Sequence, residues 1–296
     1  MKNVPVIFGE VLFDCFEDGS RVLGGAPFNV AWHLQAFGCS PLFISRVGDD
    51  PMARQIRSTM QQWGMTTAGL QLDSAHPTGE VKVSLKNGQP TYDIVINRAY
   101  DYIEADSLPP LSPSLVYHGT LGLRQPESAS VLETILEQYS MPVFMDVNLR
   151  PPWWNKAQAA QLLDQAQWVK INDEELNILT DSSEDLPEQA ENLLKTHHLE
   201  LVVVTLGKDG AFILDNQGAF TETAPLPDIP VIDTVGAGDA FASVCIIGLL
   251  YNWPHDLIVQ RAQEFASVLV GQRGATISDH NVYQAFANKW QMTKDQ

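Results

Sequence analysis

DTVGAGDAF, residues Asp233 to Phe241, is the stretch from which the fold and the chemistry of this chain are read. Before it, Pro230-Val231-Ile232 is expected to form a short strand, and after it Ala240 to Leu250 is an apolar run long enough for a helix. A strand end, a Gly-containing turn and a helix start leave the first N–H groups of the helix without intrahelical acceptors. Those amides and the positive end of the helix dipole hold an anion without a lysine. Gly236 and Gly238 leave room for the main chain to approach it. Asp239 stands at the helix start, where a carboxylate serves either as a cap or as a general base. In a phosphoryl transfer the amides take the charge of the migrating group, and Asp239 takes the proton of the attacking hydroxyl.

Together with GGAPFNVA at Gly24 to Ala31, this stretch resembles the two signatures of the PfkB (ribokinase-like) carbohydrate kinase family, and the resemblance runs over nearly the whole chain. It implies an α/β fold, ribokinase-like and doubly wound, with a mostly parallel sheet, helices on both faces and a small β lid. Residues 1–10, 24–78 and 99–296 would form the core that binds nucleotide and sugar, and residues 11–23 and 79–98 the lid over the sugar. It also implies ATP and Mg²⁺, leaves a K⁺ requirement open, and makes Asp239 the catalytic base beside Gly236, Ala237 and Gly238.

Composition sets limits around that reading. A chain of 296 residues can bury a full core. A formal net charge of -18, from 18 basic and 36 acidic residues, argues against a nucleic-acid or anionic-membrane partner. Cys15, Cys39 and Cys245 are too scattered for a disulfide framework or a metal cluster, and MKNVPVIFGEVLFD is neither a signal peptide nor a span. A cytoplasmic location is the expectation. There is no Walker loop, and Phe8-Gly9-Glu10 does not begin a dinucleotide fingerprint.

Val4 to Gly9 suits a first, buried parallel strand. Asp14 follows, where doubly wound sheets gather ligands past a strand end; it is either a ligand-binding carboxylate or a solvated hairpin residue. Gly24 and Gly25 let main chain approach a ligand, and Asn29, on the helix Phe28 to Phe37, offers both a donor and an acceptor to a diol. The resemblance places Asp14, Gly24, Gly25 and Asn29 on the sugar. Asp49 and Asp50 with Pro51 mark the start of a helix to Trp63. From Gly79 to Ile96, the residues Val81, Val83, Leu85, Tyr92, Ile94 and Ile96 alternate about an Asn87-Gly88 turn, the pattern of a half-exposed hairpin. Arg98 then reads a substrate phosphate, stacks on the sugar, or is simply an exposed lid arginine. In some relatives the lid is also a dimer face, so monomer and homodimer both stay open.

DVNLR at Asp146 to Arg150 ends another strand, and the resemblance lines the cleft with Asn148 and sets Arg150 near the transferred phosphate. Asn172 and Glu175 form an NxxE pattern similar to the family's metal and phosphate region: either Glu175 holds Mg²⁺ through water, or the pair is an ordinary helix cap. Leu201 to Leu206 is a buried strand, and Thr205, Gly207 and Gly210 in TLGKDG resemble the nucleotide-phosphate turn. Lys208 is either a phosphate contact or solvated. Ala266 lies on the helix Leu257 to Val270, whose small apolar residues suit an adenine slot or plain packing. Gly274 and Ser278, with Asp233 and Val235, are where the family resemblance would place a K⁺ site.

The expected reaction is ATP-dependent phosphorylation of a sugar primary hydroxyl. GEVLFD and GGAPFNVA resemble the fructokinase branch, which favours D-fructose to fructose 6-phosphate. The alternatives are 2-keto-3-deoxygluconate, ribose or a nucleoside as acceptor, or a sugar-binding regulatory protein without turnover.

Overall fold

The computed structural model describes residues 4–86, 89–224 and 230–292. The expected hairpin tip at Asn87-Gly88, and the prolines at 225 and 227, lie outside the described residues. The chain begins with β1 (Val4–Phe8), β2 (Leu12–Phe16), β3 (Arg21–Gly24), α1 (Ala26–Ala36), β4 (Leu42–Gly48), α2 (Pro51–Gln62) and β5 (Leu70–Asp73). Then come β6 (Gly79–Lys86), β7 (Gln89–Ile94), β8 (Pro113–His118), α3 (Pro126–Gln138), β9 (Val143–Asp146), α4 (Lys156–Gln165) and β10 (Trp168–Asn172). The last third runs α5 (Asp173–Thr180), α6 (Leu186–Thr196), β11 (Leu201–Thr205), β12 (Ala211–Asp215), β13 (Phe220–Thr223), α7 (Ala237–Leu250), α8 (His255–Val270) and α9 (His280–Lys289).

The main sheet is ordered β13-β12-β11-β10-β9-β8-β1-β4-β5. All neighbours from β11 to β5 are parallel, and the β12 and β13 edge is antiparallel. The inner strands are apolar on both faces, as a sheet covered by helices on both sides requires. Ile7 and Val203 face one layer, where they pack with Val30 and Leu34 of α1, Ile56 of α2, Val244 of α7, Phe265 of α8 and Tyr283 of α9. Val202 and Val204 face the other, against Leu163, Leu176 and Leu193 of α4, α5 and α6. Val6 and Phe8 meet α3 through Val131 and Ile135. This is the doubly wound, mostly parallel sheet expected. Its order turns at β1, which lies between β8 and β4, so the crevice outside the strand ends opens there.

A second sheet is ordered β3-β2-β6-β7. Its β6–β7 hairpin was expected; the parallel pairing of β2 with β6, which registers Asp14 with Val81, joins segments far apart in sequence. Leu12, Val81, Val83 and Ile94 form its buried underside with Tyr100 and Leu121. Tyr92 pairs with Val83 yet is exposed, because β7 is the edge strand, and Ile96 lies beyond the hairpin and is exposed too.

Two local expectations need correcting. Pro230-Val231-Ile232 is not a strand: Val231 and Ile232 are exposed, and the Ile232 and Asp233 amides donate instead to the Val270 carbonyl at the end of α8. An exposed segment whose Pro230 has no N–H gains little from sheet pairing. The helix of the opening motif begins at Ala237, with Gly236 as its N-cap, so Asp239 sits within the first turn.

Candidate active site

The site is assembled where two helix starts meet. Gly236 caps α7 with φ 80°, and a Cβ on it would stand 2.5 Å from the Ala275 Cα, so only glycine fits against the chain behind it. Ala237 donates weakly to Thr234 O at 3.3 Å, and the helical ladder begins with Ala240 donating to Gly236 O. The Gly238 and Asp239 amides lie between these two and cannot be satisfied by the helix itself. Their geometry leaves them facing outward at the helix start, where an anion is favoured.

Gly25 caps α1 with φ 109°, and its backbone lies so close to Glu10 that a Cβ would meet the Glu10 carbonyl at 2.7 Å. One turn on, Asn29 neither caps the helix nor faces solvent: it is buried, and its Nδ2 donates to Asp239 Oδ2 at 2.7 Å. Its Oδ1 is buried without a partner in the protein, which leaves an acceptor for a ligand hydroxyl. Farther along α1, Trp32 donates to Ile277 O, and His33 meets the Tyr283 hydroxyl and the Ala275 carbonyl. Burial pushes His33 down to about 3, so it is a neutral strut.

Asp239 keeps an open edge, but most of its surroundings are protein. Desolvation pushes its carboxyl up to about 6, with Asp146 adding to the rise while the Asn29 bond, Lys170 and Arg150 oppose it. Asp14, in the middle of β2 rather than at the end of β1, is half-buried and is also pushed to about 6 by desolvation against the pull of Arg150. Arg150 is exposed after β9, within electrostatic range of Asp14, Glu10 and Asp239. Asn148 beside it holds φ 38°, with its carbonyl accepting from Thr120 Oγ1. An exposed cation, a poised base, unpaired amides and a half-buried carboxylate thus surround one crevice, the set needed to bring an alcohol to a phosphate.

Comparison with known proteins bears directly on this geometry. Residues 15–281 match the pfkB family carbohydrate kinase. The chain belongs to that family. It is 31% identical over 278 residues to a fructokinase of Klebsiella pneumoniae, covering 88% of this chain and 89% of the relative. It is 28% identical over 298 residues to an aminoimidazole riboside kinase of Salmonella typhimurium, covering 90% and 91%. Among solved structures, fructokinase from Vibrio cholerae O395 in fructose, ADP and calcium ion bound form superposes with TM-score 0.84 at 23% identity, covering 96% of this chain and 98% of that one. This chain is accordingly an ATP-dependent sugar kinase, and the fold is that of the family.

Asn172, Thr205, Gly207 and Gly210, the nucleotide-side candidates of this pfkB kinase, lie at and just past the ends of β10 and β11. Asn172 and Thr205 are register partners, and Gly207 and Gly210 shape the turn that follows. Ala266 lies buried on α8, and Lys208 is exposed. The NxxE pattern closes a capping box: Asn172 Oδ1 accepts from the Glu175 amide, while Glu175 Oε2 accepts from the Asn172 amide and its Oε1 from the Leu149 amide. Its Oε1 therefore holds Leu149, between Asn148 and Arg150, while Oε2 holds the start of α5. Glu175 thus takes the helix-cap geometry of its two readings, and among the described residues no group of three or more His, Cys, Asp or Glu could hold a metal ion.

Asp233 bridges Val235 and Gly274, accepting from both amides. Ser278 is exposed beyond them. Arg98 is half-buried rather than an open lid arginine, and it pairs with Glu80 at 3.0 Å. Sequence reading missed two features of the crevice. Glu10, just past β1, is buried with Oε2 unpartnered, and burial pushes it to about 7. Lys170 and Asp146 form a buried ion pair beneath α7. A lysine inside a strand reading VKIN was the available signal, since a strand covered on both faces has no place for an unpaired charge.

Proposed function

We propose that this kinase transfers the γ-phosphoryl group of ATP to the terminal primary hydroxyl of D-fructose, giving fructose 6-phosphate. The observation that carries the reading is the Asn29–Asp239 hydrogen bond, which ties the sugar-side helix to the anion-side helix at the proposed base. The similarity to fructokinases supports the acceptor. Asp14, Asn29 and the main chain at Gly24 and Gly25 hold the sugar, and the small sheet over them keeps out water, which would otherwise compete as acceptor. Asp239 accepts the proton of the attacking hydroxyl as its oxygen forms the bond to phosphorus, the bridging P–O bond breaks, and its electrons leave with ADP. The Gly236–Gly238 turn and the Asp239 amide receive the charge of the transferring group, with Arg150 across the crevice. Asn172, Thr205, Gly207, Gly210 and Ala266 line the nucleotide side.

The ATP phosphates would carry Mg²⁺ into the crevice, where it would supply charge compensation for the transferring group. Asp233, Val235, Gly274 and Ser278 would hold K⁺ if the reaction uses one. The protein works in the cytoplasm; among the described residues no helix is long and apolar enough to cross a membrane. A riboside acceptor is the second reading, favoured by the similarity to an aminoimidazole riboside kinase. A coupled assay over fructose, glucose, ribose, 2-keto-3-deoxygluconate and adenosine, with and without potassium, separates them. Fructose should give the highest kcat/KM, and a nucleoside ahead of every sugar would overturn the assignment.

A further inference from the structure

We propose that Lys170 is a positioning residue of the phosphoryl-transfer site: Asp146 aims its ammonium at the underside of the first turn of α7, where its charge stands behind both the anion cradle and Asp239. This rests on the reading of Asp239 as the proton acceptor.

Lys170 projects from β10 and Asp146 ends the neighbouring strand β9. Lys170 Nζ donates to Asp146 Oδ1 at 2.9 Å and to Oδ2 at 3.0 Å, and both residues are buried. Both oxygens of one carboxylate thus hold the ammonium from one side, and the rest of its N–H groups face away from Asp146. A methyl group added to Gly238 would stand 3.3 Å from Nζ, so the ammonium lies directly under the second residue of α7, next to Asp239 and to the amides that receive the anion. The Tyr117 hydroxyl on β8 donates to Asp146 Oδ2 at 3.4 Å and steadies the carboxylate from the other side. Burial works against the charge of Lys170, but Asp146, Glu175 and Asp239 outweigh it, and the lysine stays protonated.

A buried ion pair is poor value for stability alone, since an apolar pair of the same volume avoids the desolvation of two charges. Its place under an anion site gives it another use. The charged groups that face Asp239 are Asp146 and Lys170 from the sheet and Arg150 from the loop after β9. Glu10 after β1 and Tyr117 on β8 are the other titratable groups within its field. Asn29 from α1 and Ala275 behind Gly236 bring no charge. Asp146 disfavours the ionised carboxylate and Lys170 favours it, so the two partners act on Asp239 with opposite signs. The pair lets a lysine be held there while its effect is kept moderate, leaving the base able to take a proton and release it.

The test compares Asp146→Asn with the double variant Asp146→Asn, Lys170→Met. Both lack the buried carboxylate; Glu175 and Asp239 still favour the charged form of the lysine in Asp146→Asn, and the ¹⁵Nζ shift of Lys170 verifies that the variants differ in that charge. The carboxyl ¹³C shift of Asp239, assigned with Asp239→Asn, is followed against pH in the protein without nucleotide or sugar, and thermal midpoints are measured alongside. The titration midpoint of Asp239 should lie about one pH unit or more lower in Asp146→Asn than in the double variant, a tenfold difference in ionised base at a given acidic pH. The midpoint in Asp146→Asn should also lie below that of the wild type. Equal midpoints in the two variants, or a lower one in the double variant, overturn the proposal whatever their stabilities. Because the readout needs no turnover, it fails or succeeds separately from the assignment of Asp239 as base, which the activity of Asp239→Asn decides.

Discussion

Asn29 and Asp239 are 210 positions apart in sequence and are joined by a 2.7 Å hydrogen bond from Nδ2 to Oδ2. The bond orients the carboxylate and leaves its other oxygen for the substrate hydroxyl. Replacing Asp239 with Asn removes the proton acceptor but keeps the size of the side chain. Turnover should fall by about 10²-fold or more, with sugar affinity little changed. A coupled assay and a calorimetric titration measure the two effects, and equal turnover in variant and wild type would remove Asp239 from the role of base.

The acid limb of activity should reflect the same carboxylate. A base must be ionised to accept a proton, and burial puts Asp239 at about 6, so kcat/KM should fall about tenfold per pH unit below that point. Asp14 is also raised to about 6, so the limb alone does not distinguish them. In Asp14→Asn the sugar KM should rise while the limb near 6 remains. A profile that becomes flat in this variant would assign the limb to Asp14.

Adjacent glycines at the sugar side should behave very differently. Gly25 has φ 109°, and a Cβ there meets the Glu10 carbonyl at 2.7 Å, whereas a Cβ at Gly24 meets nothing within 4 Å. Gly25→Ala should cost about 1–3 kcal/mol of stability and raise the sugar KM, since β1 and α1 must part to admit it. Gly24→Ala should stay within about 0.5 kcal/mol of the wild type. Denaturant melts of both variants check this, and similar losses would show that the close packing of Gly25 on Glu10 does not matter.

The main sheet was legible because its strands are continuous β-branched or aromatic runs ending in residues of unusual type, as at Leu201 to Thr205. The opening motif gave the anion site for a related reason: two glycines and an aspartate before an apolar helix have few other uses. What sequence did not give depends on burial and on pairing between distant segments. Val231 and Ile232 read as a strand, but they are exposed, and among the described residues no strand pairs with them. Arg98 read as a substrate contact or an exposed lid arginine because nothing local shows that Glu80, 18 positions earlier, pairs with it. Glu175 read as a metal candidate, yet its oxygens are taken by amides, one of them on Leu149, 26 positions away. Lys170 and Asp146 are ordinary letters until β9 and β10 are side by side.

Glu10 provides a test on stability rather than activity. Its carboxyl is buried with Oε2 unpartnered, and desolvation raises it from 4.5 to about 7, against the pull of Arg150 and Arg124. The folded protein therefore keeps a proton on Glu10 that the unfolded chain releases at lower pH. This contribution to stability is complete below about pH 4.5 and is lost as pH rises through about 7. The loss for a fully buried carboxyl shifted this far is about 3 kcal/mol. Glu10→Gln keeps the shape and never ionises. Its stability should match the wild type near pH 5 and exceed it at pH 8 by an amount on the order of 3 kcal/mol, with Asp14 and Asp239 titrating alike in both proteins. Urea unfolding at the two pH values measures the difference. A variant no more stable than the wild type at pH 8 would mean that the ionised carboxylate finds a partner in the crevice, and the cation facing it there is Arg150.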